Sequence, residues 1–283
     1  MKDVVRLYKK WNFIWRSKWW FLLPSVLGVS AFAILPFIQV LARSFANGLA
    51  GYRTVLGNAA FHLAVKNTCR FVGVGIPLLL LISFAAALGI YKSKWMRFLK
   101  SMYLLPMAVP TAVVVLIWKV FFHKAGISNQ ILAAFHLEAV DWLSSDAAFW
   151  VLIISYLWKN LGYTIVLWIA GMAGIPESIT EAARVDGATE WQCVRYMILP
   201  QLKPAFFTIT MLSFLNSFKV FREAYLVAGA YPQKSMYLLQ HLFNNWFTNL
   251  EIDKMSSAAV LLAVFFALCS LGLQRMWEKE ELS

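Results

Sequence analysis

Residues 181–188 read Glu181-Ala182-Ala183-Arg184-Val185-Asp186-Gly187-Ala188, and Ile198-Leu199-Pro200 follows shortly after. The first stretch is a short, charged helix rich in small residues, closed by a glycine and set between two long apolar segments. Ile175-Pro176 ends the segment before it and opens the new helix with proline in its first turn. Glu177 and Glu181 then lie near a helix N-terminus, which favours acidic groups. Gly187 suits the left-handed backbone that stops such a helix. Residues 191–197 read as a second short helix, and Pro200 and Pro204 bracket the start of the next apolar segment. Ala182, Ala183 and Val185 give the first helix a small, mostly apolar face, with Glu181 and Arg184 available for polar contacts. A helix this polar is not needed to cross a bilayer. It is placed to touch something in the aqueous phase and pass movement into the membrane, although helical pattern alone also fits a surface helix with no partner.

Composition sets the class around it. The chain has 283 residues, of which 60% are hydrophobic and 14% charged, with 13 tryptophans. No water-soluble domain of that length carries such a balance. Six stretches are long and apolar enough to be transmembrane helices, at about 19–43, 70–91, 101–122, 147–173, 204–228 and 255–276. Lys119 lies near the end of the third and Lys159 is the charge within the fourth, while the fifth contains Lys219, Arg222 and Glu223. Backbone groups in lipid must be paired internally, and no barrel-type alternation is present, so helices are the expected form. The predicted fold is an all-α integral membrane protein with six transmembrane helices. Residues 1–18 form a basic N-terminal segment, 19–278 a single transmembrane domain, and 174–203 a loop within it.

Orientation follows from the basic residues. Lys2, Arg6, Lys9, Lys10, Arg16, Lys18, Lys92, Lys94, Arg97, Lys100, Arg184, Arg195, Lys203, Arg275 and Lys279 fall on the side that holds both termini. The opposite loops hold fewer, Arg53, Lys66, Lys124, Lys234 and Lys254, with Arg43 and Arg70 at the ends of the first two spans. The termini and the 174–203 loop are therefore expected in the cytoplasm, with the protein in the cell membrane. This bias accounts for the net charge of +12 and points to membrane lipid rather than nucleic acid. The first apolar run is too long for a secretory h-region and reads as a retained helix. A basic, aromatic segment with Tyr8, Trp11, Phe13 and Trp15 precedes it. Cys69, Cys193 and Cys269 show no paired spacing, which argues against a disulfide framework or a metal site. No phosphate loop, H-E-x-x-H pair or G-x-S-x-G elbow occurs, so neither ATP hydrolysis nor enzyme chemistry is expected in this chain.

Glu181-Ala182-Ala183, Asp186-Gly187-Ala188, Ile198-Leu199-Pro200 and Lys203-Pro204 resemble, in residue type and spacing, the EAA loop of binding-protein-dependent ABC importer permeases. Asp before the glycine looks like the carbohydrate branch, the maltose-type and glycerol-phosphate-type permeases. Phe21-Leu22-Leu23-Pro24-Ser25, Lys66-Asn67-Thr68, Leu104-Leu105-Pro106 and the Pro110 region extend the resemblance over nearly the whole chain. It implies an ABC type I importer permease core, with the loop as a coupling helix that docks into a cleft of an ATP-binding subunit. Glu181 and Gly187 then carry coupling, and Ala182, Ala183 and Asp186 shape the docked helix. No cofactor belongs to this chain; ATP and Mg are used by the partner ATPase. The implied partners are a second homologous permease, an ATP-binding subunit dimer, an extracellular solute-binding protein and a carbohydrate substrate.

Charged groups inside a span usually face a cavity or a partner. In the fourth span Tyr156, Lys159, Asn160 and Tyr163 share one face, and in the fifth Ser213, Asn216, Lys219 or Val220, and Glu223 form a polar stripe. Ligand-lining positions of the maltose-type family, carried over by register, fall on Tyr156, Lys159, Asn160, Tyr163, Asn216 and Lys219. Amides, hydroxyls and aromatic rings suit a sugar. Two lysines on the lining extend that expectation to an acidic sugar. The plainer alternative is interhelical polar glue, with Lys219 pairing to Glu223. Outside the family, a nucleotide-independent channel or a membrane scaffold shares part of the pattern, and within it a non-sugar solute such as glycerol phosphate is the alternative.

Overall fold

The computed structural model describes residues 21–92 and 100–281. The basic segment 1–18, the first residues of the first predicted span, and Lys94 and Arg97 lie outside the described residues. The described residues form twelve helices and one separate 3-10 turn (Lys234–Met236), and no strand: α1 (Phe21–Ser44), α2 (Ala50–Leu56), α3 (Ala59–Lys92), α4 (Lys100–Ala108), α5 (Thr111–Phe121), α6 (Ile127–Ala134), α7 (Ala148–Ala173), α8 (Glu177–Val185), α9 (190–201), α10 (Lys203–Ala228), α11 (Leu239–Thr248) and α12 (Ile252–Glu281). Segments of α1, α3, α7, α10 and α12 are long and apolar enough to cross a membrane.

Two boundaries differ from the sequence reading. The predicted third span, 101–122, is two helices, α4 and α5, broken at Val109-Pro110. Pro110 sits in extended backbone (φ −56°, ψ 137°) as the N-cap of α5, and its carbonyl accepts the N–H groups of Val113 and Val114. Proline lacks the N–H to continue α4 and forces the residue before it out of the helical region. The second helix begins at Ala59 rather than near residue 70 and runs for 34 residues, about 50 Å against a hydrocarbon core of about 30 Å. Hydropathy detects only the apolar part of such a helix, so Lys66, assigned to a loop, lies on α3. Proline also explains two widened turns. π-helical segments at Ser30–Ile34 and Cys193–Ile198 immediately precede Pro36 and Pro200, where the ladder must absorb a missing donor and a ring that crowds the preceding turn.

The chain divides into two compact units. In the unit formed by residues up to Asn58 and from Trp246 onward, α12 packs against α1 and α2. Tyr52 donates to Ser44 Oγ at 2.8 Å, and Arg43 pairs with Asp253 at 2.8 Å. Gly51 lets α2 approach α12, since a Cβ there would sit 2.6 Å from Ser257 Oγ.

The other unit, Ala59–Asn245, is built on α7. One face of α7 joins Phe71 and Leu79 of α3, Val114 and Trp118 of α5, and Val220 and Ala224 of α10 around Phe149, Leu152 and Tyr156. Further along, Ile165, Trp168 and Met172 pack with Ile76, Leu80 and Ile90 of α3, Ile209 of α10, and Val194 and Ile198 of α9. Trp168 donates to Ser83 Oγ at 3.0 Å, which satisfies both buried groups. Against α4, α7 presents Gly162, where a Cβ would lie 1.5 Å from the Tyr103 carbonyl oxygen. Gly162→Ala is therefore expected to force the two helices apart and cost about 3 kcal/mol or more. A sharp fall in the melting temperature of the purified protein is the expected result.

The connections between spans are ordered by side chains. In the 122–147 loop Asn129 donates to the carbonyls of Lys124 and Val140 and accepts from Val140 N–H and Trp142 Nε1. Lys124 hydrogen bonds to Asp141 at 3.0 Å and holds its carboxyl below the usual carboxylate range. Asn67 on α3 donates to the carbonyls of Lys234 and Tyr237, and Thr68 accepts from Leu239 N–H at 3.0 Å. The Lys66-Asn67-Thr68 stretch thus clamps the segment between α10 and α11. Beside it His241 is fully buried between the rings of Phe221 and Tyr237, its Nδ1 accepting from Leu238 N–H. Burial lowers its pKa to about 4.

That shift fixes a pH dependence. Between about 4 and the ordinary value of 6.5 the unfolded chain binds the imidazole proton and the folded chain does not, so stability falls as pH drops through that window. The full contribution is present above 6.5 and amounts to about 3 kcal/mol. Thermal melts from pH 7.5 to 4 are expected to show this slope, and His241→Gln is expected to remove it.

Candidate functional site

Two groups of residues stand out, one in the 174–203 loop and one among the spans. In the loop, Pro176 is the extended N-cap of α8, one residue before the first-turn position expected of it, and Glu177 occupies the first turn. The helix closes with the paired bonds of a Schellman motif: Ala188 N–H donates to the Ala183 carbonyl at 2.9 Å and Gly187 N–H to the Arg184 carbonyl at 3.0 Å. Gly187 has φ +86°, the left-handed conformation anticipated from its position. A Cβ at Gly187 would meet no atom within 4 Å, so its requirement is conformational and not steric.

The chain resumes at once. Thr189 and Gln192 form a reciprocal capping box that starts α9, and Arg184 bonds across the gap to Glu190 at 3.0 Å. Val194 and Ile198 of α9 are buried against Met172 and Ile175 at the end of α7. The two helices of the loop are thus fixed to each other and to the span before them. Glu181, Ala182, Val185 and Asp186 are exposed, Val185 at 88%. Ala183 is not: at 9% exposure it packs into its own chain, so the apolar face expected to include it is narrowed to Ala182 and Val185.

Among the spans, Tyr156, Lys159 and Asn160 of α7 and Asn216 and Lys219 of α10 line one cavity of about 50 Å³, together with Met107, Ser155, Val220 and Glu223. Tyr163 is half-buried on the same helix but outside that lining. The Lys219–Glu223 pairing considered from spacing does not form. Lys159 instead makes the ion pair with Glu223 and also donates to Thr111 Oγ1 at 3.2 Å, while Lys219 donates to Asn216 Oδ1 at 2.7 Å. Three elements, α5, α7 and α10, therefore meet on one ammonium group. In an apolar surround a charge pair is tolerable only with such company. Lys219 is exposed and has no acidic partner among the described residues.

Tyr156 illustrates how the lining is held. Its ring stands edge-on to Phe71 with centroids 5.3 Å apart, and its hydroxyl donates to the Ser213 carbonyl at 2.8 Å, tying α7 to α10. Asn160 donates back to the Tyr156 carbonyl. The sequence places Glu223 on the polar stripe of the fifth span but not among the ligand-lining positions, and Ser155 in neither. Ser155 stands four residues before Lys159, on the same helical face, and that spacing was the available signal.

Polar groups are thus gathered between α7 and α10, and the 174–203 loop is packed on the end of α7. Residues 78–280 match the sequence family described as binding-protein-dependent transport system inner membrane component. The chain belongs to that family. Among relatives, this permease is 26% identical over 95% of its length to the probable starch degradation products transport system permease protein AmyD of Thermoanaerobacterium thermosulfurigenes, covering 96% of that protein. It is 29% identical over 75% of its length to the trehalose/maltose transport system permease protein MalF of Thermococcus litoralis, covering 76% of it. In fold, 96% of the permease superposes on 98% of a chain of a bacterial ABC transporter involved in the import of the acidic polysaccharide alginate, with a TM-score of 0.83 and 22% identity. The permease is thus a multi-pass, all-helical membrane subunit with the ABC importer permease fold.

Proposed function

We propose that this permease forms half of the pore of an ATP-driven importer, which takes a sugar or oligosaccharide from an extracellular solute-binding protein and delivers it to the cytoplasm. The observation that carries the reading is the family match, taken with relatives named for starch degradation products, trehalose and maltose, lactose and arabinooligosaccharides. A second permease of the same family completes the pore. An ATP-binding subunit dimer beneath it binds ATP and Mg, and both termini of this chain lie in the cytoplasm.

In this mechanism α8 seats in a cleft of the ATPase through Glu181, Ala182, Val185 and Asp186. Closure of the ATPase dimer moves α8, and the Arg184–Glu190 contact and the capping box pass that movement to α9. Val194 and Ile198 then press on the end of α7, whose polar face includes Tyr156, Lys159 and Asn160. A cavity of about 50 Å³ accepts little more than a water molecule (about 30 Å³ of liquid). A sugar ring therefore requires the second permease and movement of the helices.

Lys219 favours a narrower reading. An exposed ammonium beside Asn216 suits an acidic sugar, whereas the charge of Lys159 is already matched by Glu223. The structural relative named for alginate import agrees with that preference. The test is uptake by the complex in proteoliposomes. Accumulation that needs ATP inside and binding protein outside is expected, and downhill flow without nucleotide would make the chain a channel.

A further inference from the structure

Two residues that line the α7–α10 cavity each carry a buried polar atom with no hydrogen-bond partner: Glu223 Oε2 and Ser155 Oγ. A buried polar atom without a partner carries the full cost of its lost hydration, so such pairs are uncommon and call for an occupant. Glu223 is 2% exposed, and its other oxygen is committed to Lys159, which Thr111 also holds. The carboxylate is therefore held by one oxygen, with the other unpaired at the lining of the cavity.

The chemistry of the two atoms selects what fits. An ionised carboxylate oxygen only accepts, whereas a serine hydroxyl both donates and accepts. A hydroxyl-bearing ligand matches both, since a hydroxyl can donate to Glu223 and accept from Ser155. A ligand carboxylate offers acceptors alone and would meet Glu223 as a like charge. We propose that Glu223 and Ser155 form a hydroxyl-binding subsite of the substrate path, with Lys159 and Thr111 as positioning residues. The subsite rests on the sugar reading above and sharpens it: a hydroxyl-bearing edge of the sugar meets this end of the cavity, and any acidic group lies toward Lys219.

The test is transport by the whole reconstituted importer carrying Ser155→Ala or Glu223→Gln. The probes are radiolabelled maltotriose, lactose, arabinotriose and an alginate trisaccharide. For a probe that the unaltered complex accumulates, each variant is expected to move about ten-fold less sugar per ATP hydrolysed. Monodeoxy analogues of that probe give a second readout. The analogue that slows the unaltered complex about ten-fold is expected to be carried by Ser155→Ala as well as its parent sugar is. An unchanged ratio of sugar to ATP, or a parallel fall in hydrolysis and transport, overturns the subsite alone. Accumulation of none of the four probes by the unaltered complex overturns the sugar reading and the subsite with it.

Discussion

Gly187→Val is expected to insert and assemble at unaltered levels while ATP-driven uptake falls about ten-fold or more. Gly187 has φ +86°, where a β-branched residue costs about 1–3 kcal/mol, and no neighbouring atom is within 4 Å of an added Cβ. The strain therefore has a local outlet: the chain relaxes by giving up the bonds from Gly187 and Ala188 to the end of α8. Loss of about 1.4 kcal/mol at a step that limits transport is a factor of ten. The spans are not packed on this turn, so membrane abundance remains. Gly187→Asn provides the comparison, because asparagine tolerates the left-handed region, and it is expected to retain most uptake. Normal transport by Gly187→Val would remove the basis for a coupling role.

The second large effect is at the Lys159–Glu223 pair. Lys159→Met is expected to lower stability by about 3–5 kcal/mol, because it leaves a carboxylate uncompensated in the protein interior. The side chain of Glu223 is only 3% exposed, against 24% for Lys159. Glu223→Gln is therefore expected to cost less, since the lysine left behind is less buried and keeps Thr111. Combining Lys159→Met with Glu223→Leu removes both charges and is expected to recover most of the loss. Melting temperatures of the purified complex measure all three. Equal stability of Lys159→Met and the unaltered protein would show that the pair is not formed in the membrane.

Local signals were legible in the sequence wherever one residue dictates a conformation. Pro176 opened α8 and Gly187 closed it as their chemistry requires, and the apolar segments within α1, α7, α10 and α12 stood out by composition. Where the cause lies in a contact, the sequence was silent. Pro110 breaks α4 from α5, but the apolar run on both sides of it gives the hydropathy of one continuous span. The burial of Ala183 depends on how the loop lies under α7, which a hydrophobic pattern cannot report. At the polar cluster, the helical period brought Tyr156, Lys159 and Asn160 onto one face and Asn216 and Lys219 onto another, and the fold joins them at one cavity. The partner of Lys159 is 64 residues away, beyond any local rule, and the nearer candidate for Glu223, Lys219, turned instead to Asn216. Tyr163 shares the helical face by spacing but stands outside the cavity lining.

The central claim is that this chain is one subunit of an importer powered by another polypeptide. Gentle affinity purification through this chain from its native membrane, with mass spectrometry of everything retained, tests it most directly. The account predicts a second permease of the same family, an ATP-binding subunit and a solute-binding protein. Recovery of the chain alone, under conditions that keep a known importer intact, would contradict it.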